Sequence, residues 1–236
     1  METSVQMTRG QEIWLEKSRI SGNVVDLAIL YGHDMHTDGV PEMEKITPFV
    51  YSPDGETLIP SVTLKQDRYI LNFRMTKKGH YIVIVDFSPV IFSQARENKG
   101  KGLGYPSYDV MYSGSFHQTA KIIVSTDDAG DYREKPIHGA LEIVPKTSRM
   151  KMGSEIELSV FYDGEKLALA EIKAISKKDG RKAMVVKTDE NGIARIPITC
   201  EGEWLFLARH RDRRRCIEGK YDESVFIHTL VMETAK

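Results

Sequence analysis

EIELSVFYDGEKLALAEIKAISKKDGRKAMVVKTDENGIARIPI, residues 155–198, is a succession of short runs rich in Ile, Val, Leu and Phe, separated by Asp163-Gly164, Asp179-Gly180 and Asn191-Gly192. Asp-Gly and Asn-Gly supply the positive φ that a two-residue hairpin turn demands, so each dipeptide marks a chain reversal between strands. Together with the runs that flank it, the stretch gives strand candidates at 141–144, 155–162, 167–176, 182–188, 193–198, 204–210 and 224–232. Short strands with such turns predict an Ig-like or prealbumin-like sandwich. The longest helical pattern in the chain is under about three turns, too little for an α/β fold.

Working outward, similar runs occupy 12–16, 23–31, 46–51, 57–64, 68–75, 80–87 and 119–125, with Asp54-Gly55 and Lys78-Gly79 as turn chemistry. Tyr69, Leu71 and Phe73 alternate with Ile70, Asn72 and Arg74, which assigns the aromatic set to a core face. Trp14 and Trp204 lie among apolar neighbours and are expected in the core. Segment 88–118 breaks the rhythm. It holds Gly100, Gly102, Gly104, Pro106 and Gly114, has one helix-compatible piece at 90–98, and is expected to be a long irregular loop. Polar 126–138 reads as the linker. The expected fold is all-β, with two consecutive antiparallel β-sandwich domains (Ig-like/prealbumin-like) at 1–138 and 139–236.

Composition narrows the function classes. The 33 Lys plus Arg nearly cancel the 34 Asp plus Glu, a formal net charge of −1, so no global field draws the chain to nucleic acid or an anionic membrane. No apolar stretch approaches the roughly 18 residues of a membrane-spanning helix. Met1 to Gly10 is polar and lacks a leader's apolar region, which is consistent with a cytoplasmic chain or with a periplasmic or extracellular one whose leader has been removed. Cys200 and Cys216 are too few for a disulfide framework, and a single bridge and two unlinked thiols both stay open.

Two sets of residues carry a family resemblance. Asp163-Gly164-Glu165-Lys166-Leu167-Ala168-Leu169-Ala170-Glu171-Ile172, Thr188-Asp189-Glu190-Asn191-Gly192-Ile193-Ala194 and Gly202-Glu203-Trp204-Leu205 resemble carboxypeptidase-regulatory and prealbumin-like sandwich modules. Trp14-Leu15-Glu16, Gly32-His33 and Leu141-Glu142-Ile143-Val144-Pro145 resemble a bacterial and archaeal family of unknown function, domain of unknown function 4198, whose members are assigned to nickel or cobalt uptake as periplasmic components. The resemblance implies two β domains, export, and a non-catalytic binding or accessory role, with a metal ion or a transport-system component as partner. Where that family tends to place His before its Glu-aromatic-Trp segment, this chain has Gln11, a poorer transition-metal ligand than imidazole.

The densest donor cluster is His33-Asp34-Met35-His36-Thr37-Asp38, expected on a loop after the second strand. Imidazole nitrogen with carboxylate oxygen suits nickel, cobalt or zinc, so His33, His36, Asp34 and Asp38 are the candidate metal ligands. A complete site would draw a further donor from His80, His117, His138, His210 or His228. The competing reading is a solvated turn capped by Asp34 or Asp38. Arg211, Arg213 and Arg214, in an arginine-rich connection, are candidate anion-binding residues, against a charged hairpin tip satisfied by Asp212, Glu218, Asp222 and Glu223. Gly100-Lys101-Gly102-Leu103-Gly104 lacks the following helix of a phosphate loop. There is no Gly-x-Ser-x-Gly elbow, His-Glu-x-x-His pair or Cys-x-x-Cys, and an enzyme is not expected. The alternative function is a structural or interaction module that docks a protein or surface glycan through a sheet edge.

Overall fold

The computed structural model describes residues 11–98, 107–178 and 183–234, with side chains except at 95–98 and 107–109. The strands of the amino-terminal half are β1 (Glu12–Ser21), β2 (Val24–His33), β3 (His36–Gly39), β4 (Ile46–Tyr51), β5 (Thr57–Leu58), β6 (Ser61–Lys65), β7 (Arg68–Arg74), β8 (His80–Asn98) and β9 (Ser107–Ser125). Those that follow are β10 (Leu141–Pro145), β11 (Glu155–Tyr162), β12 (Glu165–Lys166), β13 (Glu171–Ser176), β14 (Ala183–Lys187), β15 (Ile193–Pro197), β16 (Glu203–Asp212) and β17 (Glu223–Glu233). One 3-10 turn, Met43–Lys45, is the only helical element among the described residues. The protein is all-β.

The strands form three sheets. An outer sheet runs β1-β2-β7-β6, with β3 on β2; a second outer sheet is built from β10, β11, β12 and β15. Between them lies an eight-stranded sheet in the order β14-β13-β16-β17-β9-β8-β4-β5, which takes strands from both halves of the chain. Its halves are joined where β17 pairs with β9, from Glu223↔Gly114 to Val231↔Ile122, and among the described residues this is the one parallel ladder between strands that otherwise pair antiparallel.

Period-two alternation explains the layering. In β16 and β17, Leu205 and Val231 point into the first core with Trp14, Leu27, Leu71, Tyr81 and Ile122. Their neighbours Trp204, Phe206, Leu230 and Met232 point the other way, into a second core with Ile143, Leu158, Ile172 and Ile196. Two sandwich-like cores therefore exist, and they share their middle sheet. Strand β1 lies across that sheet: its Ile13 N–H donates to Gln118 Oε1 at 3.2 Å, and Thr229 Oγ1 donates to the Ile13 carbonyl at 2.7 Å.

Turn chemistry behaves as the sequence predicts. Asp189 Oδ1 accepts the N–H groups of Asn191 (2.9 Å) and Ile193 (3.0 Å), and Gly192 adopts φ +71°, where a β carbon would lie 2.9 Å from Lys166 Cβ. The Asp179-Gly180 turn lies outside the described residues. Two expected strands shorten: 57–64 divides at Pro60, and 167–176 begins only at Glu171, because Leu169 turns out at φ +58°.

The largest correction concerns 88–118. In its described residues, 88–98 and 107–118, it is strand rather than irregular loop, and 90–98 is not helical: β8 and β9 remain paired from His80↔Ser125 to Asn98↔Ser107, apart from register shifts at 87–90 and 94–95. Val90-Ile91-Phe92 is a strong strand former once 110–116 lies beside it, and a distant partner is what a local reading lacks. Gly100, Gly102, Gly104 and Pro106 lie outside the described residues. Cys200 and Cys216 are both free thiols, so no bridge forms.

Candidate functional site

Where β2 ends, the chain reverses through Asp34 (φ +50°) and Met35 (φ +63°), a two-residue turn with both central residues left-handed. Such backbone is unfavourable for a side chain as large as Met, but Met35 is buried in the first core, and the Asp34 N–H donates to Glu12 Oε1 at 2.8 Å. Gly32 lets the strands close: a β carbon there would lie 1.9 Å from the His36 carbonyl oxygen. The expected loop is thus a tight hairpin that sets His33 directly opposite His36 in the β2–β3 ladder. Opposed residues share one face of the sheet, with β carbons about 5 Å apart.

His33 stands at the rim of an open cleft of about 410 Å³, lined also by Glu12, Asp34, Glu171, Lys173, Arg209 and Arg211. Its Nε2 is 3.3 Å from Asp38 Oδ2, and its Nδ1 is 4.0 Å from Glu12 Oε2. Burial raises the Glu12 carboxyl above its ordinary value, against the opposing pull of the Asp34 N–H. Asp34 is ion-paired with Lys173. His36 is exposed. Among the described residues no three His, Cys, Asp or Glu side chains are grouped to hold a metal. What the hairpin assembles is two imidazoles on one face and a carboxylate beside one of them.

The expected further donors stay apart from this turn. His138 is held at both nitrogens, by Asp86 Oδ2 and the Tyr51 hydroxyl, each at 2.8 Å. His80 bonds Ser125 Oγ and the Gly130 carbonyl. His117 stacks on Phe226, and His210 packs on Tyr162. His228 is fully buried, and neither of its nitrogens has a hydrogen-bond partner among the described residues.

The arginine-rich segment divides between a strand and the loop after it. Arg211, on β16, donates from Nε to Glu223 Oε1 at 2.9 Å, and the same oxygen accepts the Tyr112 hydroxyl at 2.6 Å. Arg213 reaches Glu223 Oε2 at 3.9 Å, Arg214 reaches Asp212 Oδ1 at 3.1 Å, and Arg215 forks onto Asp163 at 2.8 and 2.6 Å. Hydrogen bonds from Arg214 and Tyr162 hold Asp212 well below the usual carboxylate range. Arg211, Arg213 and Arg214 each face a carboxylate of the protein itself.

Several residues of the cleft escape a reading of the sequence. Glu12, Lys173 and Arg209 are polar members of apolar strands, and alternation puts them on a face without saying that the turn at Asp34 will come to rest there. The same holds for the interior ion pair of Lys121 with Glu142, 2.6 Å apart and completely enclosed between layers. Glu142 Oε2 also accepts the N–H groups of Ile137 (2.7 Å) and His138 (2.9 Å), which fastens the end of the 126–140 segment to β10 of the second outer sheet.

Comparison with known proteins adds a family but no activity. No curated protein matches the chain. A solved structure, the Bacillus anthracis TIE protein, is similar at 14% identity and a TM-score of 0.21, over 97% of this chain and 42% of that one. A likeness of that size supports no argument about fold or role. The family model described as domain of unknown function (DUF4198) matches residues 9–212, and the chain belongs to that family.

Proposed function

We propose that this chain is a non-catalytic binding or accessory protein acting outside the cytoplasm, with the His33–His36 hairpin as its ligand contact and a divalent transition metal, nickel or cobalt, as its cargo. The observation that carries this reading is the register His33↔His36, with Asp38 Oδ2 3.3 Å from His33 Nε2. Two imidazoles, borderline donors, set the preference for nickel, cobalt and zinc over calcium or magnesium, and the hard carboxylate oxygen beside them is compatible with all of these ions. They supply part of a coordination shell, leaving water or a partner of the transport system to complete it. The anion reading of Arg211, Arg213 and Arg214 draws less from the geometry, because each guanidinium already has a carboxylate. A non-catalytic role is supported by His138 and His80, whose ring nitrogens are all engaged in bracing the fold.

Calorimetric titration of metal-free protein with nickel, cobalt and zinc tests the proposal, with His33→Ala and His36→Ala alongside. Binding in the parent, weakened at least about tenfold in each variant, is the expected result. No heat at tens of micromolar metal, or equal binding by all three proteins, would falsify it.

A further inference from the structure

Alternation along β16 sets Leu207, Arg209 and Arg211 on one face of the central sheet, and all three line the cleft beside the β2–β3 turn. Lys173 of β13 lies opposite Leu207 in one ladder and opposite Val185 of β14 in the next, so Val185, Lys173 and Leu207 form a row across the same face. Leu207 is backed by Val225 and Ile227, while Val185 is 59% exposed, which leaves hydrocarbon surface within reach of a ligand. An open space of about 410 Å³ is enough for a small organic molecule.

Most charges of the cleft answer one another. Lys173 is ion-paired with Asp34, Arg211 with Glu223, and Glu171 with Lys187 at 3.3 Å. Glu12 Oε1 accepts the Asp34 N–H, and His33 Nε2 lies against Asp38. Arg209 is the exception: among the described residues its guanidinium has no hydrogen bond and no ion pair. Although the residue is exposed, the cleft walls partly desolvate the guanidinium and lower it from its ordinary value; Glu12 opposes this, and the like charge of Arg211 adds to it. A guanidinium is a planar fork of donors that matches the two oxygens of a carboxylate. The carboxylates of Glu12, Asp34 and Glu171 line the same space, so a doubly charged phosphate or sulfate meets more repulsion there than a singly charged carboxylate. Arg209 thus selects an anion, its acidic neighbours favour a single charge, and Leu207 with Val185 favours an apolar body.

We propose that this cleft binds a small organic monocarboxylate, whose two oxygens accept hydrogen bonds from the Arg209 guanidinium while its hydrocarbon body lies on Leu207 and Val185. The binding needs no metal, so it is independent of the nickel or cobalt contact proposed at His33. Titration of the isotope-labelled, metal-free full chain with hexanoate, followed by amide chemical shifts, tests it. Saturable shifts centred on 173, 185 and 207–211, half-complete at roughly 1–10 mM, are expected. Arg209→Gln is expected to weaken binding at least about tenfold, and Arg209→Lys, which keeps the charge without the fork, by less. If Arg209→Gln does not fold, Arg209→Lys together with hexanol, the uncharged analogue, decides the matter. Hexanol that binds the parent as tightly as hexanoate overturns the proposal, since the cleft then reads hydrocarbon alone. Phosphate that binds as tightly overturns it in favour of a general anion site. No shifts up to about 50 mM hexanoate, shifts centred elsewhere, or equal binding by the parent and Arg209→Gln overturn it as well.

Discussion

Replacing Glu142 with alanine strands the Lys121 ammonium between layers, with the Ile143 carbonyl, 3.1 Å away, as its remaining hydrogen-bond acceptor among the described residues. Breaking an enclosed ion pair from one side costs about 3–5 kcal/mol. The loss has a ceiling, because the lysine can fold uncharged: releasing its proton at pH 7, starting from an unfolded value of 10.5, costs at most about 5 kcal/mol at about 1.4 kcal/mol per pH unit. To either figure are added the N–H groups of Ile137 and His138, each losing an acceptor at about 1–3 kcal/mol if water does not replace it. Burial already pulls the lysine below its ordinary value with Glu142 present, so in the variant the neutral form should dominate. The unfolded variant then binds a proton that its native state does not, so stability should rise by about 1.4 kcal/mol per unit from pH 7 towards the unfolded lysine value. Urea unfolding followed by emission of the two buried tryptophans, at pH 7, 8 and 9, measures this directly. The double variant Lys121→Met/Glu142→Gln removes both charges, keeps an acceptor for the two N–H groups, and should lie within about 2 kcal/mol of the parent. A loss under about 1 kcal/mol for Glu142→Ala, or a loss that does not change with pH, would refute the reasoning.

Two further outcomes concern the shared sheet and its interior. Trp14 reports one core and Trp204 the other, so single-tryptophan proteins (Trp14→Phe and Trp204→Phe) should give coincident urea transitions, because Leu205, Val231 and Ile175 of the later half complete the first core; separated midpoints would mean that β9–β17 does not couple them. Burial depresses the imidazoles of His228, His117 and His210, so the unfolded chain takes up protons first as pH falls below the unfolded value near 6.5, and stability is progressively lost from there down through the folded values. His228→Leu should remove up to about 1.4 kcal/mol per pH unit of that loss, read as a shallower fall of melting temperature from about pH 6.5 to 5; an unchanged slope would show that the buried imidazole is not responsible.

Much of the secondary structure was legible along the chain. Tyr69, Leu71 and Phe73 are all buried as their alternation predicts, and both tryptophans lie in cores. Asp163-Gly164 and Asn191-Gly192 turn where positive φ is needed. That His33 and His36 come together at a reversal after the second strand was also legible, because three-residue spacing across a turn is a local property. The expected loop at 88–118 was wrong for 88–98 and 107–118, because no local pattern names the partner strand that each of these finds in the other.

A sequence by itself determines which residues alternate, where the chain can reverse, and so which side chains must leave water. It does not determine which strand lies beside which, because the hydrogen-bonding edge of every strand is the same backbone. Only the tertiary structure decided that β17 pairs with β9 across more than a hundred residues, making one sheet from two halves. The same long-range choice enclosed Lys121 with Glu142 and brought Arg209 and Lys173 beneath the Asp34 turn, since each of these depends on partners that no local pattern names.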